Sequence, residues 1–141
     1  NDGKEKALLP TPDKPYPSKN RDSELVQELA SNTSCRMFMN LRTLEYDLAL
    51  EGSNLTVLCK VFAAIHEPNG TVKQQARDYA MKDWATSTYS DRAQAADWLL
   101  SHVERTKGEF AQALADRLAQ GEVLQVPKYI REAVLWATKK S

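Results

Sequence analysis

The chain has 141 residues, 42% hydrophobic and 27% charged, with nineteen basic and nineteen acidic side chains and a formal net charge of zero. That length suits one domain able to bury about two-thirds of the surface its unfolded chain exposes. The even balance excludes a partner held by the field of the whole domain, so nucleic acid or an anionic membrane would have to meet a local patch.

Residues 1–20, NDGKEKALLPTPDKPYPSKN, hold four of the six prolines. Pro10, Pro12, Pro15 and Pro17 favour extended polyproline II and forbid a helix, so this stretch is expected as a leader, a tether, or a strap on a partner. The helical domain is expected over 21–141. The chain begins Asn1-Asp2 without methionine, as a processed or partial chain does. With the proline-rich start, this favours an extracytoplasmic location, periplasmic or secreted, over a cytoplasmic one.

From Arg21 the pattern turns helical, with Leu25, Val26 and Leu29 opening an apolar face and Asn32-Thr33-Ser34 interrupting it. Phe38, Leu41, Leu44 and Leu48 continue the i, i+3, i+4 rhythm, predicting a helix from Cys35 to about Leu50, either continuous with the first or separate from it. Glu51-Gly52-Ser53 reads as stop, turn and start. The next stretch, SNLTVLCKVFAAIHE over 53–67, is apolar around most of its circumference at about 100° per residue, its polar members Ser53, Thr56, Lys60 and Glu67 falling on one stripe. Such a helix is one that other helices surround. Ser53 is the expected N-cap and Pro68 the expected stop. Thr71 to about Trp84 follows, with Val72, Ala76, Tyr79 and Ala80 inward. After the polar loop ATSTYS, Ser90 or Asp91 opens a helix whose seam is Ala93, Ala96, Leu100 and Val103, ended by Lys107-Gly108. Glu109 to Gln120 places Phe110, Ala113, Leu114 and Leu118 on one side, with Gly121 as the glycine after the C-cap. Pro127 then starts a last helix to Lys139, with Ile130, Val134 and Ala137 inward. The fold class is therefore all-α: a single-domain bundle of about six short helices behind a proline-rich leader.

The chemistry-bearing residues are few. His66 suits a helix C-terminus. His102 has no carboxylate at i±3 or i±4, which argues against a catalytic or ligand role. Cys35, Met37 and Met39 splay around a helix and do not converge on a soft metal. Cys35 and Cys59 pair only if the chain folds back near 32–34, because an antiparallel hairpin turning at Gly52 would leave them about 15 Å apart. Asp78 with Lys82, and Asp116 with Gln112 or Gln120, read as surface contacts, and no acid is expected in a setting that raises its pKa. The sequons at Asn32, Asn54 and Asn69 fall at caps and turns, where Asn and Ser/Thr belong without any glycan. No phosphate loop, nucleophile elbow, HExxH or CxxC occurs. No cofactor or metal is expected, and no segment is long and apolar enough to span a membrane.

Two binding readings remain. Trp98 falls opposite the apolar seam of its helix, and Trp84, Tyr89 and Trp136 lie at helix ends or in loops, as interface aromatics do. These point to an accessory or adaptor domain that binds another protein or its own copy, without catalysis. Alternatively Lys128, Arg131, Lys139 and Lys140, interleaved with Tyr129 and Trp136, point to a small nucleic-acid-associated regulator. An enzyme with an unrecognised site is the third reading.

Overall fold

Among the residues that the computed structural model describes (9–15, 34, 36, 38–39, 41–65 and 70–139), six α-helices and two 3-10 turns make up the regular structure, apart from an isolated bridge between Thr11 and Lys14. The helices are α1 (Leu44–Leu50), α2 (Asn54–Ala64), α3 (Thr71–Met81), α4 (Tyr89–Val103), α5 (Lys107–Ala119) and α6 (Lys128–Lys139); the turns are Trp84–Thr86 and Glu104–Thr106. The protein is an all-α, single-domain fold.

The apolar circumference of α2 does what its sequence demands. Leu55, Val57, Leu58, Cys59, Val61, Phe62 and Ala63 are all buried, while Lys60 faces solvent. The helix packs chiefly along α3 and also touches α1, α4 and α5, so four neighbours divide its surface between them. On the other side of the core, α1 lies against α4 through Tyr46, Ala49, Ala93 and Ala96. Small residues on α4, with Ala95 also fully covered, let the larger rings of its neighbours approach closely.

Several boundaries differ from those expected, each for a local reason. The helix expected from Cys35 begins only at Leu44; Arg36, Phe38 and Met39 are irregular, and Cys35 and Met37 lie outside the described residues. Thr43 caps α1, its Oγ1 accepting from the Tyr46 N–H at 3.2 Å. Asp47 reaches back from the same turn to accept from the N–H groups of Leu41 (2.9 Å) and Arg42 (3.3 Å), holding the entering chain off the helix axis. Ser53 occupies the cap position of α2 but makes no side-chain cap bond; the buried polar side chain there is Asn54. The helix ends at Ala64, short of the expected Glu67, and His66 to Asn69 lie outside the described residues.

Helix α3 stops at Met81 because Lys82 is extended (φ −72°, ψ 143°), which moves Trp84 off the helix and into its own 3-10 turn. Thr88 caps α4, two or three residues earlier than expected, by accepting from the Asp91 N–H. Gly108 does not end that helix. The break is the turn at Glu104–Thr106, and Gly108 sits in the first turn of α5. The close of α5 follows expectation: Gly121 at φ +104° lets the Glu122 N–H reach the Arg117 carbonyl and its own N–H reach Leu118, the paired bonds of a Schellman end.

The last helix is turned from its expected face. Tyr129, Ile130, Ala133 and Trp136 are half-buried, whereas Val134 (56% exposed) and Ala137 face outward. Trp136 packs on Phe38, with ring centroids 6.3 Å apart. Of the expected leader, residues 9–15 are described and rest on α1. The buried Tyr46 hydroxyl donates to the Pro10 carbonyl at 2.7 Å, and Thr11 and Lys14 close a turn by exchanging backbone bonds at 3.1 and 3.0 Å. This stretch is a turn where polyproline II was expected.

Candidate functional site

Among the described residues, the concave feature that gathers charge lies where α2, α3 and α5 meet. It is a groove of about 380 Å³ lined by Lys60, Ala63 and Ala64 of α2, Lys73, Arg77, Ala80 and Met81 of α3, and Arg117 of α5. Helix periodicity assembles it. Positions 60, 63 and 64 share one side of α2, and positions 73, 77, 80 and 81 share one side of α3. The result is a floor of small apolar side chains with cationic walls. None of the lining residues is acidic, although acids and bases balance over the whole chain.

Arg117 meets Glu122 at 3.9 Å. Met81 is 88% exposed, the largest value among the exposed bulky hydrophobic residues described. A flexible, polarisable thioether left in water at a groove edge is the type of side chain that moulds to apolar partners. The acid at position 78 points elsewhere. Asp78 accepts from Gln74 at 2.9 Å, while Lys82, its expected partner, pairs with Asp91 at 3.7 Å and lies over the Trp84 ring.

The aromatic residues expected to anchor an interface have other duties. Trp84 is 1% exposed, so it offers no face to a partner. Its Nε1–H donates to the Tyr79 carbonyl at 2.8 Å, and its own carbonyl accepts two bonds from Arg92 at 3.1 and 2.8 Å. Trp98 is half-buried, its ring edge-on to Phe62 (5.7 Å) and Tyr79 (5.4 Å), where α2, α3 and α4 converge. The ring lies off the Ala93–Val103 seam as expected, but a second packed face of the helix accounts for it. Tyr89 is 41% exposed beneath Arg92, and Trp136 belongs to the contact of α6 with Phe38. The four do not form one surface patch.

His102 stacks at 4.5 Å on Trp98 and donates from Nδ1 to the Trp98 carbonyl at 2.7 Å, one turn back. Cys59 is a free, fully buried thiol whose surroundings push its pKa up to about 12, so it is protonated and shielded from reagents. Cys35 lies outside the described residues. Asn54 is 2% exposed with both side-chain ends bonded, which leaves no room for a glycan; Asn32 and Asn69 lie outside the described residues. Among the described residues no cluster of three potential metal ligands occurs, and no helix is long and apolar enough to cross a membrane.

Compared with known proteins, the chain matches no family model, and neither curated sequences nor solved structures give a match.

The basic residues of the alternative reading are partly grouped. Lys128, Arg131 and Lys139 share an exposed side of α6 together with Leu135, while Lys128 pairs with Glu132 at 3.8 Å, and Lys140 lies outside the described residues. Two features escaped the sequence reading. The groove draws its cations from three helices, so no window of sequence contains it. Asp47 corrects the expectation that no acid lies where its pKa is raised: it is 8% exposed, and burial raises its pKa, opposed by the N–H groups of Leu41 and Arg42. Its place in Tyr46-Asp47-Leu48-Ala49-Leu50, an otherwise apolar run, was the available signal.

Proposed function

We propose that this protein is a non-enzymatic adaptor domain that recruits another protein by an acidic segment, and that the segment lies in the groove between α2, α3 and α5. The observation carrying this reading is the collection of Lys60, Lys73, Arg77 and Arg117 around an alanine floor, with no acid among the described lining residues, in a chain whose net charge is zero. A concave cationic surface attracts and orients an anionic partner, and its apolar floor adds affinity that charge alone does not supply. Among the described residues, the lining of the groove includes no histidine, thiol or carboxylate to move a proton or attack a bond, which supports binding over catalysis. Nucleic acid fits less well, because the groove has no aromatic face on which a base would stack.

Titration with a poly-glutamate peptide at about 50 mM salt, followed by amide chemical shifts, tests the reading. The expected result is saturable binding with shifts at Lys60, Lys73, Arg77 and Arg117, lost in the Lys73→Glu/Arg77→Glu variant and kept in Arg131→Ala/Lys139→Ala. Absence of binding, or shifts confined to α6 with duplex DNA preferred to the peptide, would refute it.

A further inference from the structure

We infer that the occupant of this groove is an amphipathic α-helix of the partner, presenting carboxylates one turn apart beside a narrow strip of apolar side chains. This deepens the reading of the groove as a protein-binding surface and rests on it. Three geometric facts select a helix over other bound forms.

The first is the spacing of the cations. Lys73 and Arg77 stand four residues apart on α3, so their stems leave the helix about 6 Å apart along its axis at 1.5 Å per residue. A second helix laid along α3 repeats the same interval, and acids at its i and i+4 positions meet both cations at once. Lys60 on α2 and Arg117 on α5 supply charge from the other walls.

The second fact is the floor. Ala63, Ala64 and Ala80 carry only a methyl group each, so a helix can settle close and bury its own apolar strip. Met81 at the edge, 88% exposed, closes over that strip when the partner arrives.

The third fact concerns the other modes of peptide capture. An extended peptide gains most of its affinity by pairing with a sheet edge, and the described residues include no strand. A polyproline segment docks in grooves lined by aromatic rings, and this one has none. Recognition of an acidic motif by clustered cations would use the charged walls and leave the alanine floor bare, whereas a helix laid into the groove uses both, its apolar strip on the floor and its acids at the rim.

The test uses the full chain and two peptides of one composition. In the first, Glu at i and i+4 flanks a Leu/Ala strip on one helical face; in the second, the same residues are scrambled so that acids surround the axis. Affinity by fluorescence anisotropy and peptide helicity by circular dichroism are read together. The patterned peptide should bind about tenfold or more tightly than the scrambled one and gain helicity on binding. Arg77→Glu should abolish most of that preference, and Ala80→Leu, which fills the floor while leaving the charges, should weaken the patterned peptide selectively. The folded spectrum of each variant shows that the domain itself is intact. Equal binding of the two peptides would overturn the helical occupant while leaving recruitment of acidic segments standing. Failure of both peptides, and of poly-glutamate, would overturn the two readings together.

Discussion

Helices α2 and α6 are nearly equal in length and rich in apolar side chains, yet they occupy opposite extremes of the molecule. Eight of the eleven residues of α2 are buried, and none of the twelve of α6 is. Helix α2 is the more apolar, with one charged residue against four in α6, and the distribution differs as well. In α2 the hydrophobic residues run almost all the way round, and four helices gather about it. In α6 all but Leu135 form one broad face, of which the half carrying Tyr129, Ala133 and Trp136 is half-buried and the half carrying Val134 and Ala137 is open. The first helix is held by packing. The second is held at its start, where Asn54 bonds the Gln125 carbonyl and N–H and Glu51 accepts from the Lys128 N–H at 3.3 Å, so that residues 122–127 form a strap leading into it.

This contrast makes graded predictions. Phe62→Ala, which empties the point where α2 meets Trp98, should cost about 3–5 kcal/mol in urea unfolding. Asn54→Ala should cost about 1–3 kcal/mol, because it leaves the Gln125 carbonyl and N–H without their side-chain partner and removes one of the two donors to the Leu48 carbonyl, and it should speed exchange of α6 amides more than those of α2. Asp47 contributes a pH dependence. Burial raises its folded-state pKa above the ordinary 3.8, so its contribution to stability is complete below pH 3.8 and fades as the pH rises through the folded value. Asp47→Asn should therefore flatten the stability profile over that window, and an unchanged slope would assign it to other groups. Smallest of all, Val134→Ser on the open side of α6 should alter stability by no more than about 0.5 kcal/mol, within the scatter of ordinary surface changes. A large effect there would mean that α6 is held by packing after all.

The parts of this fold that could be read from the chain are those set within a single helix. The mostly apolar wheel of Leu55–Ile65, the Gly121 end of α5 and the inward Ala76 all follow from spacing and backbone preference. The parts that could not be read depend on neighbours distant in sequence. Trp98 seemed surplus because one seam was assigned to α4, whereas α1 covers one side and Phe62 and Tyr79 cover another. Trp84 seemed to end a helix because nothing local announces the extended Lys82 or the Arg92 bonds that draw its carbonyl inward. The groove shares this cause: Lys60, Arg77 and Arg117 are unremarkable surface cations until three helices bring them to one hollow.

The grip of Asn54 on Gln125 has a consequence for the order of events along the chain. The two residues are 71 positions apart, and the strap crosses the turn closely enough that a methyl group on Gly52 would collide with the Gln125 side chain. A link that spans so much sequence has a closure entropy to overcome, and it engages most readily once α2 to α5 already stand in place. It thus behaves as a late-closing clasp, and the Gln125 amide becomes a natural reporter of whether the final third of the molecule is fastened.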